Sequence, residues 1–174
     1  MHAPSNPVAT LHLLCGKIGA GKSTLARHLC MAPGHVLISE DTWLASLFPG
    51  EIVEVADYVR LAARLRDTLA PHVRALLAGG MSVVLDVPFN TVQTRAWARS
   101  ILADSGADHA LHYLDVPDAL CIARLHARNA AGAHPFAASD AEFADITRHF
   151  VAPAAEEGFN VVRHGQLPTS DEIA

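Results

Sequence analysis

Residues 16–23 read Gly-Lys-Ile-Gly-Ala-Gly-Lys-Ser, and no other stretch of the chain constrains the fold as tightly. The run fits G-x-x-x-x-G-K-[ST] without deviation. An apolar segment, Ala9 to Cys15, precedes it, and an amphipathic helical segment from about Lys22 to Met31 follows. A strand that turns through glycines into a helix aims backbone N–H groups and the positive end of the helix dipole at one point. That arrangement cradles phosphate oxygens. Gly16, Lys17, Ile18, Gly19, Ala20, Gly21, Lys22, Ser23 and Thr24 are the expected contacts of ATP and Mg²⁺. Lys22 reaches the β and γ phosphates, Ser23 ligates the metal, and Thr24 stands near the α phosphate. The chain's two lysines, Lys17 and Lys22, both lie here. Lys17 is not a motif position, and its side chain reads as a solvent charge.

Beyond the loop, short apolar runs alternate with helical spacing, the mark of an α/β fold. Further strands are expected at His35–Ile38, Met81–Leu85, Ala110–Leu114 and Asn160–Arg163. Helical stretches fall at Thr42–Leu47 and Val55–Ala78, the latter carrying Pro71, which should kink or split it. A helix capped by Asn90 with Gln93 runs to about Ala103, and Pro117 opens another. Ser139 and Glu142 form a capping box for a helix to about Phe150. Together these predict one domain over residues 1–174. It is an α/β three-layer sandwich, a five-stranded parallel sheet with helices on both faces and right-handed crossovers.

Hydrophobic residues at 51% and charged residues at 18% suit a packed globule. With 13 basic against 18 acidic residues the net charge is −5, which argues against a nucleic-acid partner. Three scattered cysteines, Cys15, Cys30 and Cys121, suit a reducing, cytoplasmic setting. No uncharged apolar run approaches the ~18 residues of a membrane span. The 11 histidines show no zinc pattern. His109 and His112 should point to opposite faces of their strand. Nothing in the sequence selects an oligomeric state.

Three further patterns carry chemistry. Asp41 closes Leu37-Ile38-Ser39-Glu40-Asp41, at the end of the second strand. Asp86 closes the apolar run Val83-Val84-Leu85. Arg124 and Arg128 stand four apart on one helix face, ahead of the small-residue stretch Asn129–Ala138 that contains His134. With the glycine loop, these resemble the P-loop kinases of the nucleoside-monophosphate-kinase-like group from about Leu11 to Val162. The chain looks most like polynucleotide 5′-kinase domains, chloramphenicol phosphotransferase and the zeta-toxin kinases, relatives that also carry AAA labels. The resemblance implies that Asp41 accepts the proton of the attacking hydroxyl. It implies that Asp86 holds Mg²⁺ or places the acceptor. It makes Arg124 and Arg128 part of a lid over about 129–139 that neutralises the transferring phosphoryl. Lys22, Asp41, Arg124 and Arg128 are then the catalytic set, and Ser23 and Asp86 the metal set.

Each position also has a plainer reading: Asp41 and Asp86 as helix caps, Glu40 as a rival base, the arginines as charges suited to a helix C-terminus. No N-K-x-D is present, so guanine-specific recognition is not expected. Polynucleotide kinases carry an arginine three residues after the catalytic aspartate, where this chain has Leu44. Trp43, Leu44, Leu47 and Phe48 read as ordinary helix packing, or as an apolar rim that would suit a smaller, less charged acceptor. Arg60, Arg64, Arg74, Arg95 and Arg99 read as anion-binding candidates or as solvated faces. The expected function is a kinase passing the γ-phosphoryl of ATP to a small-molecule hydroxyl. The alternatives are a nucleotide-binding regulatory module with weak ATPase activity and a polynucleotide 5′-hydroxyl kinase.

Overall fold

Apolar runs rich in leucine and valine supply five strands: β1 (Thr10–Cys15), β2 (His35–Ser39), β3 (Ser82–Pro88), β4 (Asp108–Leu114) and β5 (Val161–His164). In the computed structural model, which describes residues 8–103, 105–132 and 136–165, they form one sheet. Its order is β2-β3-β1-β4-β5, and every neighbouring pair is parallel. Parallel pairing requires crossovers, and six helices provide them: α1 (Lys22–Leu29), α2 (Glu40–Leu47), α3 (Val55–Ala78), α4 (Val92–Leu102), α5 (Asp118–Ala130) and α6 (Asp140–Thr147).

Side chains alternate across the central strands, so the core divides in two. Leu11, Leu13, Val83 and Leu85 pack with Leu44 of α2, Leu61, Leu65, Leu69 and Val73 of α3, and Ala98 and Ile101 of α4. Leu14, Val84 and Leu114 meet Leu25 of α1, Cys121 and Leu125 of α5, and Phe143 of α6 on the opposite face. Each fully buried leucine contributes roughly 1.5–3 kcal/mol from area removed from water.

Two local expectations are corrected. Pro71 does not split α3, which runs unbroken through it. Pro71 lies on the exposed side, where the missing N–H leaves a carbonyl that water can serve, while Leu69, Ala70 and Val73 hold the inner face to the sheet. Asn90 does not cap α4. Thr91 does: its Oγ1 accepts from Thr94 N at 3.1 Å, and Thr94 Oγ1 accepts from Thr91 N at 3.2 Å. The Ser139–Glu142 capping box is present, with Ser139 N donating to Glu142 Oε2 at 2.8 Å.

His109 and His112 do face opposite ways. His109 meets Phe159 edge-on at 5.6 Å, whereas His112 joins a row of imidazoles on the other face. His12 Nδ1 and His112 Nε2 share a hydrogen bond at 3.0 Å, and His112 Nδ1 and His164 Nε2 share one at 2.9 Å. The strand register explains the row: His112 lies beside Leu14, two residues from His12, and His164 beside Leu114, two from His112.

Candidate functional site

All three sequence patterns converge where the strands end. The loop after β1 is tight because Gly19, at φ 77°, passes so close to α5 that a Cβ there would lie 2.2 Å from the Cys121 carbonyl oxygen. No side chain fits at that distance. Gly21, at φ 102°, caps α1 in the left-handed conformation. The first N–H groups of α1 have no intrahelical acceptor and open toward the cavity. Gly16 N donates to Asn90 Oδ1 at 2.9 Å, which ties the start of the loop to the strand beside it. Asn90 was read as a cap, so its brace on the loop is a role the sequence reading missed.

Lys22 Nζ donates to Gly16 O at 2.6 Å and to Lys17 O at 2.9 Å, so its ammonium arches over the loop. Burial pushes Lys22 below its ordinary value, and the negative charges of Asp86 and Asp41 oppose that fall. The Lys17 side chain behaves as a surface charge. It pairs with Asp118 and lies 5.7 Å over the Phe150 ring.

The β2–β3 register sets Ser39 beside Asp86, which brings the two carboxylates at the strand ends together. Burial raises the Asp86 carboxyl, while the Ser23 hydroxyl, hydrogen-bonded to it, and the Lys22 charge lower it. Neither aspartate is an N-cap: Ser39 precedes α2, and Thr91 caps α4. A hydroxyl and a carboxylate oxygen side by side, in a pocket with a second carboxylate nearby, fit a hard divalent cation. Mg²⁺ takes few protein oxygens and fills its octahedron with water and phosphate. No cluster of three or more His, Cys, Asp or Glu side chains fit to hold a metal occurs among the described residues.

Arg124 and Arg128 reach the same place from α5. Arg124 Nη1 donates to Ala20 O at 3.4 Å. Burial lowers Arg128 and the Asp41 charge opposes this, while its buried Nε has no hydrogen-bond partner among the described residues. Asn129 Nδ2 donates to Ala138 O at 2.8 Å, closing the expected lid segment on itself. Residues 133–135 of that segment, with His134, lie outside the described residues.

One cavity of about 760 Å³ holds these groups together. Its lining includes Gly19, Lys22, Ser23, Thr24, Asp41, Asp86, Arg124 and Arg128. Arg27, Tyr58 and Phe136 also line it and were not foreseen. The apolar wall is not the predicted one. Leu44 is fully buried, Trp43 and Phe48 pack against the core, and none lines the cavity. Leu47 is exposed, and Ile52, Val53 and Val55 supply the wall instead. Of the uncertain arginines, Arg60 pairs with Asp57 at 3.0 Å, Arg74 Nη2 donates to Ser100 O at 2.9 Å, and Arg99 lies 5.1 Å over Phe159. Arg64 is exposed. Arg95 is fully buried and binds Glu157, so it is structural. No described helix is long and apolar enough to cross a membrane.

The comparisons agree with this geometry. No curated protein matches the sequence. A kinase candidate from Chloroflexus aurantiacus J-10-fl superposes with a TM-score of 0.73 at 18% identity, over 91% of this chain and 85% of that one. The Mycobacterium tuberculosis APS kinase CysC, in complex with AMPPNP and APS, gives 0.61 at 22% identity, over 96% and 94%. A chain of the Pnkp1/Rnl/Hen1 RNA repair complex gives 0.65 at 20% identity, over 85% of this chain and 45% of that one. This last likeness overturns the expectation that a nucleic-acid partner is disfavoured, because the same fold serves in an RNA-repair assembly. The net charge of the whole chain does not describe the cavity, where Lys22, Arg27, Arg124 and Arg128 stand among Asp41, Glu54, Asp86 and Glu142. A family model described as "AAA domain" matches residues 11–153. The chain therefore belongs to that AAA domain family, with a P-loop kinase fold related to nucleoside-monophosphate-kinase-like and polynucleotide-kinase-like domains.

Proposed function

We propose that the protein is an ATP-dependent phosphotransferase that moves the γ-phosphoryl of ATP to a hydroxyl of a small-molecule acceptor. One observation carries this reading: Lys22, Ser23, Asp86, Asp41, Arg124 and Arg128 line a single cavity. A module that merely bound nucleotide would need the loop but would have no use for Asp41 or the arginine pair.

In this reading, the loop amides and Lys22 hold the β and γ phosphates, and Ser23 and Asp86 provide oxygens for Mg²⁺. When bound, the metal would supply positive charge that offsets the charge of the phosphates. Asp41 orients the acceptor hydroxyl. The acceptor oxygen–phosphorus bond forms as the bond to the β-phosphate oxygen breaks, ADP leaves, and the hydroxyl proton passes to the Asp41 carboxylate. Arg124 and Arg128 stabilise charge on the transferring phosphoryl, and positioning supplies much of the rate.

A polynucleotide 5′-hydroxyl is the second reading, favoured by the likeness to the RNA repair complex. The test offers γ-labelled ATP with a pool of hydroxyl metabolites in one arm and 5′-hydroxyl RNA or DNA in the other. Label in a metabolite supports the first reading, and label on the oligonucleotide the second. No acceptor-dependent ADP release in either arm refutes both and favours a binding module. Asp41→Asn is expected to lower turnover by about 10²–10⁴-fold while ATP affinity changes little. Unchanged turnover would remove Asp41 from the role.

A further inference from the structure

Glu40 directly precedes Asp41, yet the two carboxylates are placed very differently. Glu40 is fully buried, whereas Asp41 lines the cavity. Arg66 of α3 grips Glu40 as a fork: Nε donates to Oε2 at 2.7 Å and Nη2 to Oε1 at 2.9 Å. Burial pushes the Glu40 carboxyl up, and the Arg66 fork and the Tyr58 hydroxyl act against that rise. With both oxygens engaged and no path to the cavity, Glu40 is not the rival base the sequence allowed.

Tyr58 bridges the pair. Its hydroxyl oxygen lies 2.8 Å from Asp41 Oδ1 and 2.9 Å from Glu40 Oε1. A phenol has one hydrogen to donate. It can therefore serve only one of the two carboxylates at a time. The other contact is satisfied only if that carboxyl donates back to the phenol oxygen. Glu40, with both oxygens accepting from the Arg66 fork, is a fixed acceptor. Asp41 is the member whose protonation changes during transfer. The ring itself is held by the edge contact with Phe136, with centroids 5.7 Å apart at 86°.

We propose that Tyr58 is a positioning residue for Asp41, its hydroxyl hydrogen lying on Asp41 before transfer and on Glu40 after it. This inference rests on Asp41 as proton acceptor. Before transfer, the Tyr58 O–H donates to the Asp41 carboxylate and fixes its plane toward the acceptor. As the acceptor oxygen bonds to phosphorus, its proton passes to Asp41 Oδ1, the oxygen that Tyr58 touches. The new Asp41 O–H then donates to the Tyr58 oxygen, and the Tyr58 O–H rotates to Glu40 Oε1. No bond to Tyr58 is made or broken, and no proton leaves the group. Both protonation states of Asp41 find a partner of the right polarity without moving a heavy atom. That is the preorganisation a catalytic base requires. Arg66 acts at one remove, by keeping Glu40 in place.

The test uses water as the acceptor, measured as release of labelled phosphate from γ-labelled ATP in single turnovers with Mg²⁺. Tyr58→Phe removes the hydroxyl and keeps the ring. The expected result is a rate about 10–100-fold lower, with KM for ATP and the melting temperature unchanged. In an Asp41→Asn background, Tyr58→Phe is expected to cause no further loss, because its effect runs through Asp41. Equal losses in both backgrounds, or an undiminished rate in Tyr58→Phe, would overturn the proposal. Asp41→Asn alone tests the separate reading of Asp41 as base, so the two failures are distinguishable. A measurement independent of turnover is the ¹³C carboxyl signal of Asp41, identified by its absence in Asp41→Asn. It should move in Tyr58→Phe, and an unmoved signal refutes the contact. Glu40→Gln, which leaves the Tyr58 hydroxyl in place, should slow the same single turnover in the parent but not in Tyr58→Phe. Slowing in both would overturn the relay.

Discussion

Replacing Arg95 with Met tests how the floor of the site is held. The guanidinium is fully buried, at 0% exposure, and donates to Glu157 and to the carbonyls of Phe89, Val151 and Ala152. Nε and Nη2 grip Glu157 at 2.6 and 2.8 Å, and Nη1 donates to Phe89 O at 3.1 Å and Val151 O at 2.8 Å. Met keeps most of the volume and removes every donor. Glu157 loses its partner, a loss that costs about 3–5 kcal/mol for a buried pair. The lower end applies, because the Glu157 side chain is 15% exposed and can take up water. Val151 is exposed and its carbonyl can be rehydrated, but Phe89 is at 0% exposure and its carbonyl is stranded, adding about 1 kcal/mol. The sum is about 4 kcal/mol, or a melting temperature roughly 8–16 °C lower for a chain of this size. Urea unfolding followed by far-UV circular dichroism reads the loss directly. Adding Glu157→Leu should restore part of it, since the orphaned carboxylate is then gone. Because Arg95 does not line the cavity, KM for ATP should stay within about threefold below the melting range. A loss under about 1 kcal/mol, or loss of ATP binding in a protein that stays folded, would refute this account of Arg95.

Two further outcomes follow from the same reasoning. Pro71→Ala should stabilise the protein by about 2 kcal/mol in urea unfolding. It recovers ~3 kcal/mol of helix propensity, which includes the restored hydrogen bond, less about 0.4–1 kcal/mol for the restored freedom of the unfolded chain; unchanged or reduced stability would contradict the reading of α3. The imidazole row predicts acid sensitivity. Burial, then the charges of His12 and His164, push His112 down to about 4, so the unfolded chain takes up a proton before the folded one does. Stability should hold above about pH 6.5 and fall by at most about 3 kcal/mol as the pH drops from there toward 4, and His112→Gln should flatten that slope.

What the sequence disclosed depends on how local the cause is. The glycine loop, Asp41, Asp86 and the Arg124–Arg128 spacing are set by neighbours in the chain, and the fold brings all of them into one cavity. The strand and helix alternation likewise gave the five-stranded parallel sheet. Partners remote in sequence were not legible. Arg95 looked like an anion-binding candidate because nothing near it in the chain points to Glu157, 62 residues away. The same holds for Arg66 and Glu40, 26 apart, and for Tyr58 and Asp41, 17 apart. Asn90 and Thr91 are both good caps, and only the turn geometry decides that Thr91 caps while Asn90 braces Gly16. Trp43 and Leu44 leave packing and an acceptor rim both open in the sequence, because an apolar helix face does not say which surface it will cover; both pack into the core.

The most direct test of the central claim is calorimetric titration of ATP with Mg²⁺ into the protein and into Lys22→Ala. The account predicts saturable binding to the parent chain. It predicts binding about 10–100-fold weaker in a folded Lys22→Ala, the loss expected for a hydrogen bond to a charged group. Equal affinity in the two proteins, or no heat and no thermal stabilisation with any nucleoside triphosphate, would contradict it.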